Sequence, residues 1–197
     1  MKKIILAAVA LLCLCGTAAA QRHIEYKWRG VYFTVDGSYL MNLNREAGIN
    51  GRADTLAGAN VSFTAGFQFS KEAGVGLGVT YVSDPTGAFT QMPAYVELRS
   101  HFMRSRLTPY TVLQGGYCLP LGSSSMPPRT EITKGGLYFG FSFGARYAID
   151  RSFAIGIHAD YKMLQSREVT RYDIHNEPVI SDPIVLHTVG GGMTLYF

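Results

Sequence analysis

The chain has 197 residues and a formal net charge of +4, with 47% hydrophobic and 16% charged residues. Removing the two lysines near its start, Lys2 and Lys3, takes the charge from +4 to +2, too little to imply a nucleic-acid partner. Two of the three cysteines, Cys13 and Cys15, lie in the same opening stretch. Cys118 alone then remains, which excludes an internal disulfide and a Cys-x-x-Cys metal cluster in the rest of the chain.

That opening stretch reads as a secretory signal peptide over residues 1–20. Lys2 and Lys3 form a positive start, Ile4 to Leu14 is apolar, and Ala18-Ala19-Ala20 offers a small-residue cleavage site before Gln21. The apolar run falls short of the about 20 residues that a membrane-spanning helix needs. Leu14 before Cys15 and Leu12 before Cys13 are too large for a lipoprotein cleavage site. Residues 21–197 form one domain, with no linker or low-complexity tract and no long apolar run. The 22 glycines, 12 tyrosines and 11 phenylalanines suit strands and turns.

Eight runs alternate with period two, the signature of strands with unlike faces. The first, Gly30 to Met41, sets Val31, Phe33, Val35 and Tyr39 against Asp36 and Ser38. Asn60 to Ser70 sets Val61, Phe63, Ala65, Phe67 and Phe69 against Asn60, Ser62, Thr64 and Gln68. Val75 to Val82 opposes Val75, Leu77, Val79 and Tyr81 to glycines and a threonine. Thr90 to Met103 carries Ala94, Val96, Leu98 and Phe102 against Glu97, Arg99 and His101. Tyr110 to Leu121 is the least regular. Residues 135–149 place Leu137, Phe139, Phe141 and Phe143 opposite Ser142 and Arg146. Phe153 to Leu164 faces Ile155, Ile157 and Tyr161 away from His158, Asp160 and Lys162. Ile184 to Phe197 closes the series, with Val185, Val189, Met193, Leu195 and Phe197 alternating with threonines and glycines.

Each run can supply the about 9–11 residues of a tilted membrane strand. Short turns at Lys71–Gly74, Arg104–Thr108 and Asp150–Ser152 alternate with connections at Asn42–Ala59, Asp84–Phe89, Gly122–Lys134 and Glu168–Pro183, the second of which is also short. Short turns at one rim and longer loops at the other are the plan of an up-and-down outer-membrane barrel, with both chain ends on the periplasmic side. The polar faces hold Asp36, Glu97, Arg99, His101, Arg146, His158, Asp160 and Lys162. A soluble core would bear a heavy desolvation cost for so many ionisable groups, whereas a narrow barrel interior lets them pair. Glu97 with Arg99, and Asp160 with Lys162, are two apart and so share a face. The bulky aliphatic and aromatic set is expected to face lipid. Trp28, Tyr110, Tyr147, Phe153 and Phe197 are expected in an interfacial belt at the short-turn rim, and Tyr39, Tyr81, Phe89 and Tyr161 at the other. The expected fold is an all-β, eight-stranded antiparallel transmembrane barrel.

This plan, together with the ending GMTLYF, resembles the small outer-membrane β-barrel proteins of Gram-negative bacteria, similar to the OmpA transmembrane domain and OmpX. The resemblance covers Gln21 to Phe197. It implies location in the outer membrane among its lipid and lipopolysaccharide. It also implies that Met193, Leu195 and Phe197 form the terminal signal read by the barrel-assembly machinery.

Three functions compete. A structural or surface-interaction barrel would use its loops, Asn42–Ala59 and Glu168–Pro183, to meet a surface ligand. A narrow pore would use the lumen charges, but their pairing would block an eight-strand bore. A lipid A or phospholipid-modifying enzyme would need an activated nucleophile or water. The His-x-Ser arrangement is absent, and Ser83-Asp84 before Pro85 is ordinary turn chemistry. His101 and His158 are at most two metal ligands, short of a closed site. Gly190-Gly191-Gly192 precedes no helix and so reads as strand close approach, not as a phosphate loop. Asp54-Thr55-Leu56 is a weak glycan-acceptor pattern. The reading is therefore a monomeric, non-enzymatic barrel without cofactor or metal.

Overall fold

The computed structural model describes residues 29–43, 57–70, 72–83, 89–103, 105–123, 129–172, 178–179 and 184–197. The signal peptide, Trp28, most of the Asn42–Ala59 connection with Asp54-Thr55-Leu56, Asp84, and the tip of Glu168–Pro183 lie outside the described residues, as does the Phe89 side chain. The strands are β1 Gly30–Asn42, β2 Ala57–Gln68, β3 Gly74–Ser83, β4 Phe89–His101, β5 Leu107–Ser123, β6 Arg129–Ala148, β7 Ala154–Tyr172, β8 Pro178–Val179 and β9 Ile184–Tyr196. Among the described residues no helix is long and apolar enough to cross a membrane.

Eight of these strands close into an antiparallel barrel in chain order, β1 through β7 and then β9, which returns to β1. The two-residue β8 only flanks the far part of β7. Closure pairs each of these eight strands with a neighbour on both sides over the shared barrel wall among the described residues. The three tight turns are held by backbone bonds: Phe69 N–H to Ala73 O at 2.9 Å, Phe102 N–H to Pro109 O at 3.0 Å, and Ile149 N–H to Phe153 O at 3.0 Å. They define a short-turn end. The opposite, far end carries the other connections.

Alternation sorts the wall as expected, with apolar residues out and polar residues in. Val31, Phe33, Phe63, Leu77, Val96, Leu98, Phe143, Ile157 and Met193 are 48–69% exposed on the outer surface in a band around the barrel. Tyr147 and Phe197 mark its short-turn rim, the latter with its ring 5.5 Å from that of Phe153, and Tyr39 and Tyr81 mark the far one.

Three expectations need correction. Tyr110 is not a rim residue; its ring is 1% exposed and fills the lumen. The bulky aliphatics are not all outside, since Leu40, Val82, Val112, Leu164 and Leu186 point inward. The segments Gly122–Lys134 and Glu168–Pro183 are not wholly loop: β6 runs 20 residues and β7 runs 19, paired from Ala148–Ala154 out to Arg129–Tyr172. Thr130, Ile132, Val169 and Thr170 are good strand formers that continue the ladder past the point where face polarity stops mattering. Register shifts around Ile132, Lys134, Gly135 and Tyr138 divide this extension from the barrel wall.

β9 closes the barrel by close approach. A Cβ on Gly190 would strike the carbonyl oxygen of Tyr39 on β1 and lie 2.9 Å from Leu40 Cδ2. The backbone oxygen cannot rotate away, so Gly190→Val is expected to prevent closure of the β1–β9 seam. The measurement is the fraction of refolded protein that migrates as a compact species on an unheated SDS gel, which should fall sharply from the wild-type value.

Candidate functional site

The lumen gathers the chemistry in three levels. At the short-turn end, guanidinium groups stack on tyrosine rings. Arg99 Cζ lies 4.9 Å from the centroid of Tyr196 and 5.2 Å from that of Tyr32, and Arg146 Cζ lies 5.3 Å from Tyr196. Tyr110 meets Tyr196 edge-on at 5.9 Å, and the His101 ring sits 6.0 Å from Tyr110. Cation–π contact of this kind gains strength where water is excluded, and Arg99 and Arg146 are only 3% and 2% exposed.

The middle level is a hydrogen-bonded polar network. Glu97, fully buried, accepts from Arg99 Nη2 at 2.7 Å, Arg99 Nε at 2.8 Å, Tyr32 Oη at 3.3 Å and Gln114 Nε2 at 3.1 Å. Gln114 in turn accepts from Tyr138 Oη at 2.8 Å, so one chain of contacts runs across β4, β5 and β6. Asp160 gathers a second set. His158 Nε2 lies 3.3 Å from its Oδ1, Lys162 Nζ 3.5 Å from its Oδ2, and Ser142 and Ser38 each donate at 2.7 Å. Asp36 accepts from Thr194, whose hydroxyl also meets His158 Nδ1 at 3.0 Å. His158 thereby links the Asp160 and Asp36 groups. Buried charges with this many partners avoid the penalty of an isolated ion.

The far level is apolar. Leu40, Val82, Cys118, Leu164 and Leu186 pack with Tyr95 and Tyr138, whose rings are 5.6 Å apart. Seven side chains from seven strands therefore lie across the bore above the charges. A glycine on the neighbouring strand makes the room: a Cβ on Gly78, which pairs with Tyr95, would lie 2.5 Å from the Tyr95 ring.

Of the residues expected in the lumen, Asp36, Glu97, Arg99, His101, Arg146, His158, Asp160 and Lys162 all face it. The same-strand pairs Glu97–Arg99 and Asp160–Lys162 are in contact. His101 and His158 are on strands that are not neighbours, and they flank Tyr110 from different sides. Sequence reasoning missed Tyr32, Tyr95, Tyr110, Tyr138 and Tyr196, the ring set that fills the bore. It also missed the aliphatic cap. The signal was parity: Leu40 shares a face with Asp36 and Ser38, and Leu164 with Asp160 and Lys162. On the outer face, Met193 and Phe197 are 55% and 51% exposed, with Leu195 less so.

The sequence matches no protein-family model and no curated protein. Among solved structures, the chain is similar to the crystal structure of Neisserial surface protein A, with a TM-score of 0.58 and 14% identity over 85% of this chain and 97% of that one. It is also similar to the crystal structure of the outer membrane protein OprG from Pseudomonas aeruginosa, with a TM-score of 0.52 and 13% identity over 89% of this chain and 99% of that one. The likeness is one of architecture, and the architecture is that of the eight-stranded outer-membrane β-barrels.

Proposed function

We propose that this chain is an exported, integral outer-membrane barrel that conducts no solute and acts as a structural or surface-interaction protein through its far end. The observation that carries the membrane reading is the outward apolar band, with Leu77 at 69% and Ile157 at 63% exposure, wrapped around buried ion pairs. A water-soluble protein rarely exposes a continuous apolar surface of this extent. A bilayer accepts it, and a closed barrel satisfies the backbone within the bilayer.

Two features support the non-conducting role. The polar network pairs charges of opposite sign along β4 and along β7 and ties them to other strands through Tyr32, Gln114 and Ser38, and the Leu40–Leu164–Leu186 cap covers it. The surface role draws on β6. Its 20 residues at about 3.3 Å each and a tilt of about 40° rise roughly 50 Å, about twice the apolar band of such a barrel. A paired stalk of β6 and β7 would therefore stand clear of the lipid on the outside and present whatever lies at its tip. Met193, Leu195 and Phe197 would serve assembly at the lipid-facing surface of the last strand. Residues 1–20 would direct export.

The test is direct. The outer-membrane fraction run on SDS gels without and with boiling should show a compact, heat-shifted band. The same material in planar bilayers should give no stable openings. Stable single-channel steps would overturn the non-conducting role, and recovery from the soluble periplasm with no heat shift would overturn the membrane reading itself.

A further inference from the structure

The outward positions of β6 run from Leu137 through Phe139, Phe141 and Phe143 to Tyr147. The steps from residue 137 to residue 147, at about 3.3 Å each and a tilt of about 40°, rise roughly 25 Å, the height of the apolar band of such a barrel. Tyr147 therefore stands where the band ends at the short-turn rim, level with the lipid headgroups. The guanidinium of the exposed Arg106, from the β4–β5 turn, lies over its ring, with Cζ 5.6 Å from the centroid.

The backbone holds Arg106 in this place. Its carbonyl accepts from Ala148 N–H at 2.8 Å, and the next residue, Leu107, pairs with Tyr147 across the β5–β6 ladder. The turn is braced from within: the Thr108 hydroxyl donates to Ser105 O at 2.6 Å, and the Ser105 hydroxyl donates to Leu107 O. Apart from the ring, the Arg106 guanidinium has no hydrogen bond or ion pair among the described residues. On the neighbouring β6–β7 turn, the Asp150 carboxylate accepts from Arg151 N–H at 2.7 Å instead. A guanidinium stacked on an aromatic face keeps its edge donors for a second partner, and their fork suits phosphate oxygens by shape as well as by charge. From Tyr147 toward mid-bilayer the outer surface is apolar, with Phe143 50% exposed. A fixed cation with open donors at the edge of an apolar wall matches an amphiphile with a phosphate head.

We propose that Arg106, stacked on Tyr147, binds the phosphate of one phospholipid of the leaflet at the short-turn end. An acyl chain of that lipid lies along Tyr147, Leu107 and Phe143. The inference rests on the membrane reading above, and the experiment separates the two. Full-length processed protein, folded in detergent and verified by its gel shift, is titrated in native mass spectrometry. The probes are phosphatidylglycerol, a diacylglycerol of the same chains, and inorganic phosphate. Wild type should retain phosphatidylglycerol, with diacylglycerol and phosphate retained far less. Arg106→Gln, an exposed turn change that leaves the lumen intact, should weaken phosphatidylglycerol retention roughly fivefold. Tyr147→Leu, which keeps an apolar rim but removes the platform, should weaken it roughly threefold. Arg151→Gln changes an exposed arginine at the same end that has no ring contact among the described residues, and it should stay within about twofold of wild type. Equal retention by wild type and Arg106→Gln would overturn the site, and a loss as large from Arg151→Gln would replace it with diffuse surface charge. Full retention by Tyr147→Leu would overturn the role of the ring. Diacylglycerol bound as tightly as phosphatidylglycerol would overturn the role of the phosphate, and phosphate bound as tightly would overturn the lipid as its source. A missing gel shift would strike the membrane reading, and the site with it.

Discussion

Glu97→Gln is expected to cost about 3–5 kcal/mol of stability, a large share of what holds a domain of this size together. The side chain keeps its shape but loses the charge that Arg99 faces at 2.7 Å, with both groups almost fully buried. One of its two oxygens becomes an NH₂ that must point at donors on Arg99 and Tyr32 or at Gln114 Nε2. An unmatched guanidinium and crowded donors are then left almost fully buried. Removing both charges together, as Glu97→Met with Arg99→Met, is expected to restore much of the loss, because the desolvation cost disappears with the ions. Equilibrium denaturant unfolding in lipid vesicles, followed by circular dichroism, measures both. A single variant as stable as wild type would mean that the pair contributes nothing.

Leu77→Arg is expected to cost about 2–4 kcal/mol in the same assay, the penalty for a cation on the lipid face near mid-bilayer. Leu77 on β3 lies between Ala65 and Val96 on the outer surface and is 69% exposed. The outcome is diagnostic because the same substitution on a water-facing strand would stay within about 0.5 kcal/mol. A near-zero effect in vesicles would place water, not lipid, against this face. The two variants probe opposite sides of one wall, and a barrel set in lipid predicts a loss from each.

Much of this wall was legible in the sequence, because a strand with unlike faces writes its orientation into every second residue. The run from Leu137 to Ile149 shows this best: its odd positions are exposed, apart from the half-exposed Ala145, and its even ones face the bore. Pairs within one strand, such as Glu97 with Arg99, were legible for the same reason. Pairs across strands were not. Ser38 reaches Asp160 over 122 residues, and Thr194 reaches Asp36 over 158, distances that only register and closure determine. The far ends of the strands misled for a different reason. There the lumen is sealed by Leu40, Val82 and Leu186, so both faces are apolar and alternation no longer distinguishes in from out. Tyr110 misled because an aromatic near a strand end fits either an interfacial belt or a packed bore, and the Cβ-free wall at Gly156 that admits it is visible only in three dimensions. A Cβ there would come within 3.2 Å of its hydroxyl.

The closure of β9 on β1 also bears on the order in which the protein can fold. Every other neighbouring pair joins strands that follow one another along the chain, with β8 set aside, and can zip from its own connection. The β1–β9 pair joins Thr34 to Tyr196, across nearly the whole domain, and no local loop brings its ends together. Because loop closure must precede the contacts that reward it, this seam is the slow, late step. Until it forms, the first and last strands both present unpaired edges that could add to another chain. The yield of folded protein is therefore expected to depend on how fast this seam closes as well as on the stability of the finished barrel.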